Sequence, residues 1–460
     1  KGSYMAVFTI VVIAAIIIVN LIIGKIPAKY MKHDLSSSQI LTLGDTTKDL
    51  LSNLDKDVTI HIVASPDTVD ERITSFVKLY ADQSGHIKVS EDDPVLHPDI
   101  LTTLDTQTNQ ILVTCDATGK KTAIPFSDII QIDLMAYYQY QQIHETAFDG
   151  EGQITSALQY VTREDMPVFY ELTGHDETEI SGDFLDVLTK ANIELESLDL
   201  LQNDAVPADC AALIINGPQS DLSEDDYNKI AAYLEAGGSL FATLDYAAYD
   251  QLDRYQKLLA DYGISSPGGI VADLDHSYYY QNPYYLLPYV ASTDVTGDLT
   301  GYSSVFAPFM VGLQVSDDDT YTYTTILSTS DSAVAKTHYS QATSYEAEEG
   351  DVEGSFIGGL SLTTGQGGQI YVFGATLMFT DAANDIVSGR NAELFSGVVN
   401  GLLAEEDSSQ TVVIPVKDYS VSTLTVSANA VLIYGLLWGM LIPIVLIITG
   451  IVIWARRRRL

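Results

Sequence analysis

Cysteine occurs only twice in these 460 residues, at Cys115 and Cys210, which excludes the disulfide-dense scaffolds of small secreted domains. The sequence leaves a single bridge between the two open. Each sits in an apolar run, however, where a buried free thiol is the commoner state. Basic residues are also few: 23 Lys and Arg stand against 62 Asp and Glu. Nucleic acid and anionic lipid surfaces both need neutralising cations, so neither is an expected partner. Catalytic strings are missing as well. ATGKKT (117–122) lacks the upstream glycine of a phosphate-binding loop and lies between short predicted strands, so it is a hairpin turn. No G-x-S-x-G elbow follows a predicted strand. HETAF (144–148) begins like a zinc-protease motif but has no second histidine, and the eight histidines show no ligand spacing. An enzyme, a cofactor and a resident metal are all unexpected.

Two long apolar segments are present, at about residues 5–24 and 430–454, and neither holds a single Asp, Glu, Lys or Arg. Twenty helical residues rise roughly 30 Å, enough to cross a bilayer's hydrocarbon core. Arg456, Arg457, Arg458 and Arg459 follow the second segment, and the positive-inside tendency keeps such a cluster cytoplasmic. Two spans put both termini on that side. The first apolar stretch is longer than a signal-peptide core and no clear cleavage site follows, so an uncleaved anchor is expected. All 62 acidic residues and 18 of the 23 basic ones lie between the two segments, a formal charge of −44. The expectation is an acidic, solvated, extracytoplasmic region held at both ends in a cell membrane.

That region is too long for one core. After a transmembrane helix over 1–24, residues 25–45 form a linker and 46–149 a small α/β domain. A larger α/β domain then runs over 150–405, with an insertion at about 264–365. A second linker (406–429), the second span (430–454) and a basic tail (455–460) complete the chain. In the small domain VTIHIVA (58–64), HIKVS (86–90) and QILVTC (110–115) read as strands, and Ile73, Phe76, Val77 and Tyr80 as one face of a helix. The order suggests a thioredoxin-like fold, without the C-x-x-C that redox chemistry needs. In the larger domain PVFYEL (167–172), AALIING (211–217), SLFATLD (239–245) and GQIYVFGA (368–375) alternate with helical patterns, which argues for a mostly parallel sheet. Ser223 with Asp226 marks one helix start, and Gly237-Gly238 and Gly263 mark helix ends.

Loops after the carboxyl ends of parallel strands converge on one crevice. His175 and Glu177, in YELTGHDE (170–177), would then approach Asn216, Asp245 and Tyr246. These five are the candidate ligand or partner residues. The alternative is that the histidine and carboxylate only fix two loops by hydrogen bonds. The insertion, which also holds EAEEGDVEG (346–354), has Tyr-rich strings such as SYYYQNPYY (277–285) and YTYTT (321–325). These could bind sugars or partners, although edge strands and loops are the commoner use of such residues.

GEGQITSALQYVT (150–162), YELTGHDETE (170–179), residues 212–245, GGQIYVFGATLMFTD (367–381) and GRNAELFSGVVNGLLAEED (389–407) together resemble the GldG-like auxiliary components of ABC transporters. Gly401 stands where that family often has Trp. The resemblance implies a non-catalytic membrane subunit working with a separate ABC ATPase and a permease, with a cell-envelope ligand or protein as a further candidate partner. It supplies no catalytic residues. A freestanding envelope receptor or adhesion protein binding through the Tyr-rich insertion is the rival from another class, and an extracellular hydrolase using His175 a third.

Overall fold

The computed structural model describes residues 42–132, 137, 142–316, 321–403, 414 and 417–418. Both apolar segments and the basic tail lie outside the described residues. Among the described residues no helix is long and apolar enough to cross a membrane. Cys115 and Cys210 are both free thiols.

Helix α1 (Asp45–Ser52) leads into a four-stranded sheet of β1 (Val58–Val63), β2 (Ile87–Asp92), β3 (Gln110–Cys115) and β4 (Lys120–Pro125). The order is β2-β1-β3-β4, with β1 and β2 parallel and the other pairs antiparallel. Helix α2 (Glu71–Gln83) crosses from β1 to β2, and its cap Asp70 accepts the Arg72 amide. Ile73, Phe76, Val77 and Tyr80 are all buried, so the 3.6-residue stripe faces the sheet as its spacing requires. Short helices α3 (Asp99–Thr103) and α4 (Phe126–Ile129) follow, then β5 (Ile130–Ile132) and β6 (Glu145–Phe148). Helix α5 (Gly150–Thr162), placed by the sequence at the head of the second domain, buries Ile154, Leu158 and Val161 in this first core.

The second sheet has eight strands: β7 (Val168–Thr173), β8 (Glu194–Asp199), β9 (Cys210–Asn216), β10 (Leu240–Thr243), and four from later in the chain. Between the early strands run α6 (Gly182–Lys190) and α7 (Glu224–Glu235), and α8 (Asp253–Ala260) follows β10. Residues 264–365 are not simply an insertion. Strand β11 (Ile270–Asp273) pairs with β14 (Ala333–Lys336) in a separate sheet, but β12 (Tyr289–Val290), β13 (Tyr323–Ser328) and β15 (Ile357–Thr363) join the main one. With β16 (Gln369–Phe373) the order is β12-β13-β15-β16-β10-β9-β7-β8. The five strands from β16 to β8 are parallel and the remaining three antiparallel. Their apolar side chains Ile326, Leu327, Leu360 and Leu362 are buried, and the pairing satisfies the edge of β16 that would otherwise be open.

Helices α9 (Asp381–Ile386) and α10 (Arg390–Leu402) cover one face of this sheet. There Phe184, Phe241, Phe379 and Phe395 pack edge to face, with centroids 5.0–5.8 Å apart. Gly401 lies in α10 against the Tyr371 hydroxyl, which occupies the space where a side chain would begin.

Candidate functional site

Strand β8 lies on one side of β7 and β9 on the other, so the chain reverses its direction of travel across the sheet at β7. This is a topological switch point, where the loops after β7 and β9 part and ligands of open α/β sheets bind. His175 and Glu177 lie in the first loop, Asn216 at the end of β9. In this chain the two loops close on one another. Thr178 donates its amide to the Asn216 carbonyl at 2.8 Å, and the Asn216 side chain donates back to the Thr178 carbonyl at 2.7 Å. The amides of Gln219 and Ser220 both donate to the His175 carbonyl.

The buried His175 ring spans two carboxylates. Its Nδ1 lies 2.9 Å from Glu177 Oε1 and its Nε2 3.3 Å from Asp226 Oδ2. Both acid side chains are only 3% exposed, so they stabilise the imidazolium with little competition from water. The Glu177 hydrogen bond chiefly holds the His175 pKa above its ordinary value, against the opposing cost of burial. Asp226 is positioned by Ser223, whose hydroxyl accepts the Asp226 amide at 3.0 Å and caps α7. Its own carboxylate does not complete a reciprocal capping box; it turns to His175 instead.

Glu171, in β7 beneath this loop, escaped the sequence reading. It is 6% exposed, accepts the Ile180 amide at 2.6 Å, and is pushed up to about 7 by burial. Glu179 and Glu177 raise it further, while the Ile180 hydrogen bond opposes the shift. Only its place in an apolar strand, polar among Phe169, Tyr170 and Leu172, signalled it.

Asn216 is fully buried and accepts from the Thr243 hydroxyl at 2.8 Å, which in turn lies 2.9 Å from Thr376 Oγ1. It ties three strand ends together. Asp245 and Tyr246 belong to a different neighbourhood. Asp245 accepts the Ala247 amide in its own turn, and the Tyr246 ring stacks on Phe309 at 5.2 Å and meets Tyr339 edge-on at 5.5 Å. Of the five residues, His175, Glu177 and Asn216 thus meet at the loop junction, Tyr246 joins an aromatic cluster and Asp245 closes its own turn.

That cluster continues through Tyr285–Phe309 and Tyr284–Tyr345, while Tyr302 contacts both Tyr278 and Tyr289. Tyr280, Tyr302 and Tyr345 remain 44%, 58% and 41% exposed, enough to present rings to a ligand. The acidic run beside it is not a free solvated face. It folds around Lys336, which is 1% exposed and donates to the Glu346 carbonyl, Glu348 and Asp351 at 2.7, 2.9 and 2.5 Å. Burial works against that ammonium, but the Asp351 and Glu348 hydrogen bonds outweigh it and hold its pKa up. Among the described residues no group of three or more His, Cys, Asp or Glu could hold a metal ion.

Residues 167–359 match the family described as an ABC-type uncharacterized transport system, and residues 37–131 match a domain of unknown function. No curated protein matches the chain. Among solved structures, the chain is similar to the mmIFT52 N-terminal domain, at 19% identity over 51% of this chain and 96% of that one, with a TM-score of 0.38. It is similar to PurLQS from Thermotoga maritima at 13% identity over 52% of this chain and 100% of the other, with a TM-score of 0.30.

Proposed function

We propose that the protein is a non-catalytic auxiliary component of an ABC transporter, of the GldG-like kind, a reading supported by the match of residues 167–359 to the family of an ABC-type transport system. The family match over the larger sheet carries this reading. In it the apolar segments at about 5–24 and 430–454 cross the cell membrane beside a separate permease. Both termini are cytoplasmic, and an ATPase bound to the permease supplies the energy. The acidic region faces the extracytoplasmic space, where it assists substrate handling or contacts an envelope partner. The β2-β1-β3-β4 order of the small sheet supports a thioredoxin-like domain next to the span. A non-catalytic role is consistent with His175, whose ring nitrogens are both taken up by buried carboxylates. Co-purification of the full chain after mild detergent extraction is the test. Recovery of a permease and an ATPase supports the reading, and their consistent absence sinks it.

A receptor reading keeps one observation in its favour, the exposed rings of Tyr280, Tyr302 and Tyr345. Excising 275–355 would remove β13 from the main sheet, so point changes are the right probe. Tyr302→Ala with Tyr280→Ala should abolish binding to isolated cell envelopes if those rings carry it. Unchanged envelope binding ends that reading.

A further inference from the structure

The GEG string that opens α5 is explained by neither sheet alone. Glu151 is 3% exposed, and its Oε1 accepts the Gly44 amide at 2.7 Å and the Thr47 hydroxyl at 2.6 Å. It therefore pins the segment through which the chain enters α1. On the other side, Lys417 and Asp418 pair antiparallel with Phe148 and Ala147, extending the ladder that ends at this turn. Between them stands Gly152. A Cβ there would lie 3.1 Å from the Ile414 carbonyl and would collide with the Asp149 carboxylate. Gly150 is constrained likewise, since a Cβ would come within 2.6 Å of the Phe148 ring. The two glycines are what let both chain segments close on one carboxylate-bearing turn.

The same turn reaches the large sheet. Asp149, with a fully buried side chain, takes Lys190 at 2.7 Å from the last turn of α6. One turn further along α5, the Asn192 side chain donates to the Ser156 carbonyl at 2.9 Å. Contacts from Gly44 and Thr47, from Ile414, Lys417 and Asp418, and from Lys190 and Asn192 thus meet within residues 147–156. With its Asp149 half fully buried, the pair resists loosening, because separating it leaves a buried carboxylate without its cation.

We infer that the Asp149–Gly152 turn is a mechanical joint, fastening the two chain segments to each other and to α6. Displacement of either segment passes through Glu151 and Asp149 into the helix beside β7, whose following loop carries His175. Its meaning as a relay from membrane to outer domain rests on the transporter reading above. Its existence does not, and testing it needs no permease, so the two fail separately.

The test is amide hydrogen exchange on the full chain in detergent, comparing three variants. Thr47→Val removes one Glu151 contact with little change of volume. It should speed exchange in residues 45–52 and also in residues 182–193, the latter by at least about five-fold. Coupling is reciprocal, so Lys190→Met should speed exchange in 45–52 and 417–418. Ile87→Ala loosens the small core at β2, the sheet edge opposite β4 and α5, and should leave 182–193 within about two-fold of the parent. A Thr47→Val effect confined to 45–52, or an Ile87→Ala effect of equal size on 182–193, overturns the joint. Should Lys190→Met fail to fold, the contrast between the other two variants decides it.

Discussion

Lys336 and Asp351 meet at 2.5 Å with side chains 1% and 4% exposed, and around that pair the acidic run 346–354 becomes a folded loop. Asp351 also accepts the amides of Thr337 and Glu348, so the ammonium and two peptide groups share one carboxylate. Removing the cation alone leaves that carboxylate buried and uncompensated. Lys336→Met should therefore cost about 3–5 kcal/mol in urea unfolding monitored at neutral pH. A loss under about 1 kcal/mol would show that the acidic run does not need the lysine.

Glu348 beside it gives a pH signature. The Thr343 hydroxyl and then the Lys336 ammonium hold its pKa down at about 2. A carboxyl whose folded pKa is depressed stabilises the protein above its unfolded pKa and loses that contribution as pH falls through the folded one. Loosening of residues 343–351, read by hydrogen exchange, should begin below about pH 4.5 and be complete near pH 2. Glu348→Gln should shrink the transition to the part carried by Asp351, whose pKa the Lys336 ammonium also holds down against the effect of burial.

Glu171 predicts the opposite dependence. Its folded pKa of about 7 lies above the ordinary carboxyl value of 4.5, so the folded protein binds the extra proton. The stabilisation is full below the unfolded pKa and is lost as pH rises through about 7, amounting to about 3 kcal/mol. Glu171→Gln keeps the acceptor for Ile180 and removes the charge. The variant should match the parent near pH 4 and exceed its melting stability at pH 8. Equal pH profiles would show that Glu171 ionises without cost.

His175 is expected to be structural. His175→Phe leaves Glu177 and Asp226 buried without their cation, at a cost of about 3–5 kcal/mol at pH 6. Because its pKa is raised, the charged form's contribution fades as pH climbs past that value. The gap between variant and parent should therefore narrow at pH 9. A pH-independent gap would mean that the ring's shape, not its charge, holds the two loops.

Gly152→Ala tests the packing of the GEG turn directly. The new methyl meets the Asp149 carboxylate and the Ile414 carbonyl, and overpacking of this kind costs about 1–3 kcal/mol. Thermal unfolding should show the loss, and Gln153→Ala, one residue on, should cost less.

Much of the element pattern was legible in the residues. The stripe Ile73, Phe76, Val77 and Tyr80, the strand QILVTC and the Ser223 cap all coincide with observed features, because periodicity and capping are local physics. Strand β8 was not legible: ELESLD lies at a sheet edge and carries too few apolar residues to announce itself. Nor was it legible that β13 and β15 belong to the main sheet, since alternation marks a strand but not its partner.

The candidate site divides in the same way. Sequence alone determined that His175 and Glu177 follow a buried strand, and that an acidic, apolar-bracketed chain lacks familiar catalytic strings. Only tertiary structure decided that Asp226, 51 residues away, completes the histidine's surroundings, and that Tyr246 belongs with Phe309 and Tyr339 instead. It also decided that Glu151 would hold Gly44 and Thr47 across more than a hundred residues. Local patterns arise from a few consecutive dihedrals and side-chain periods. A buried charge finds its partner only when distant segments pack, and no spacing along the chain records that.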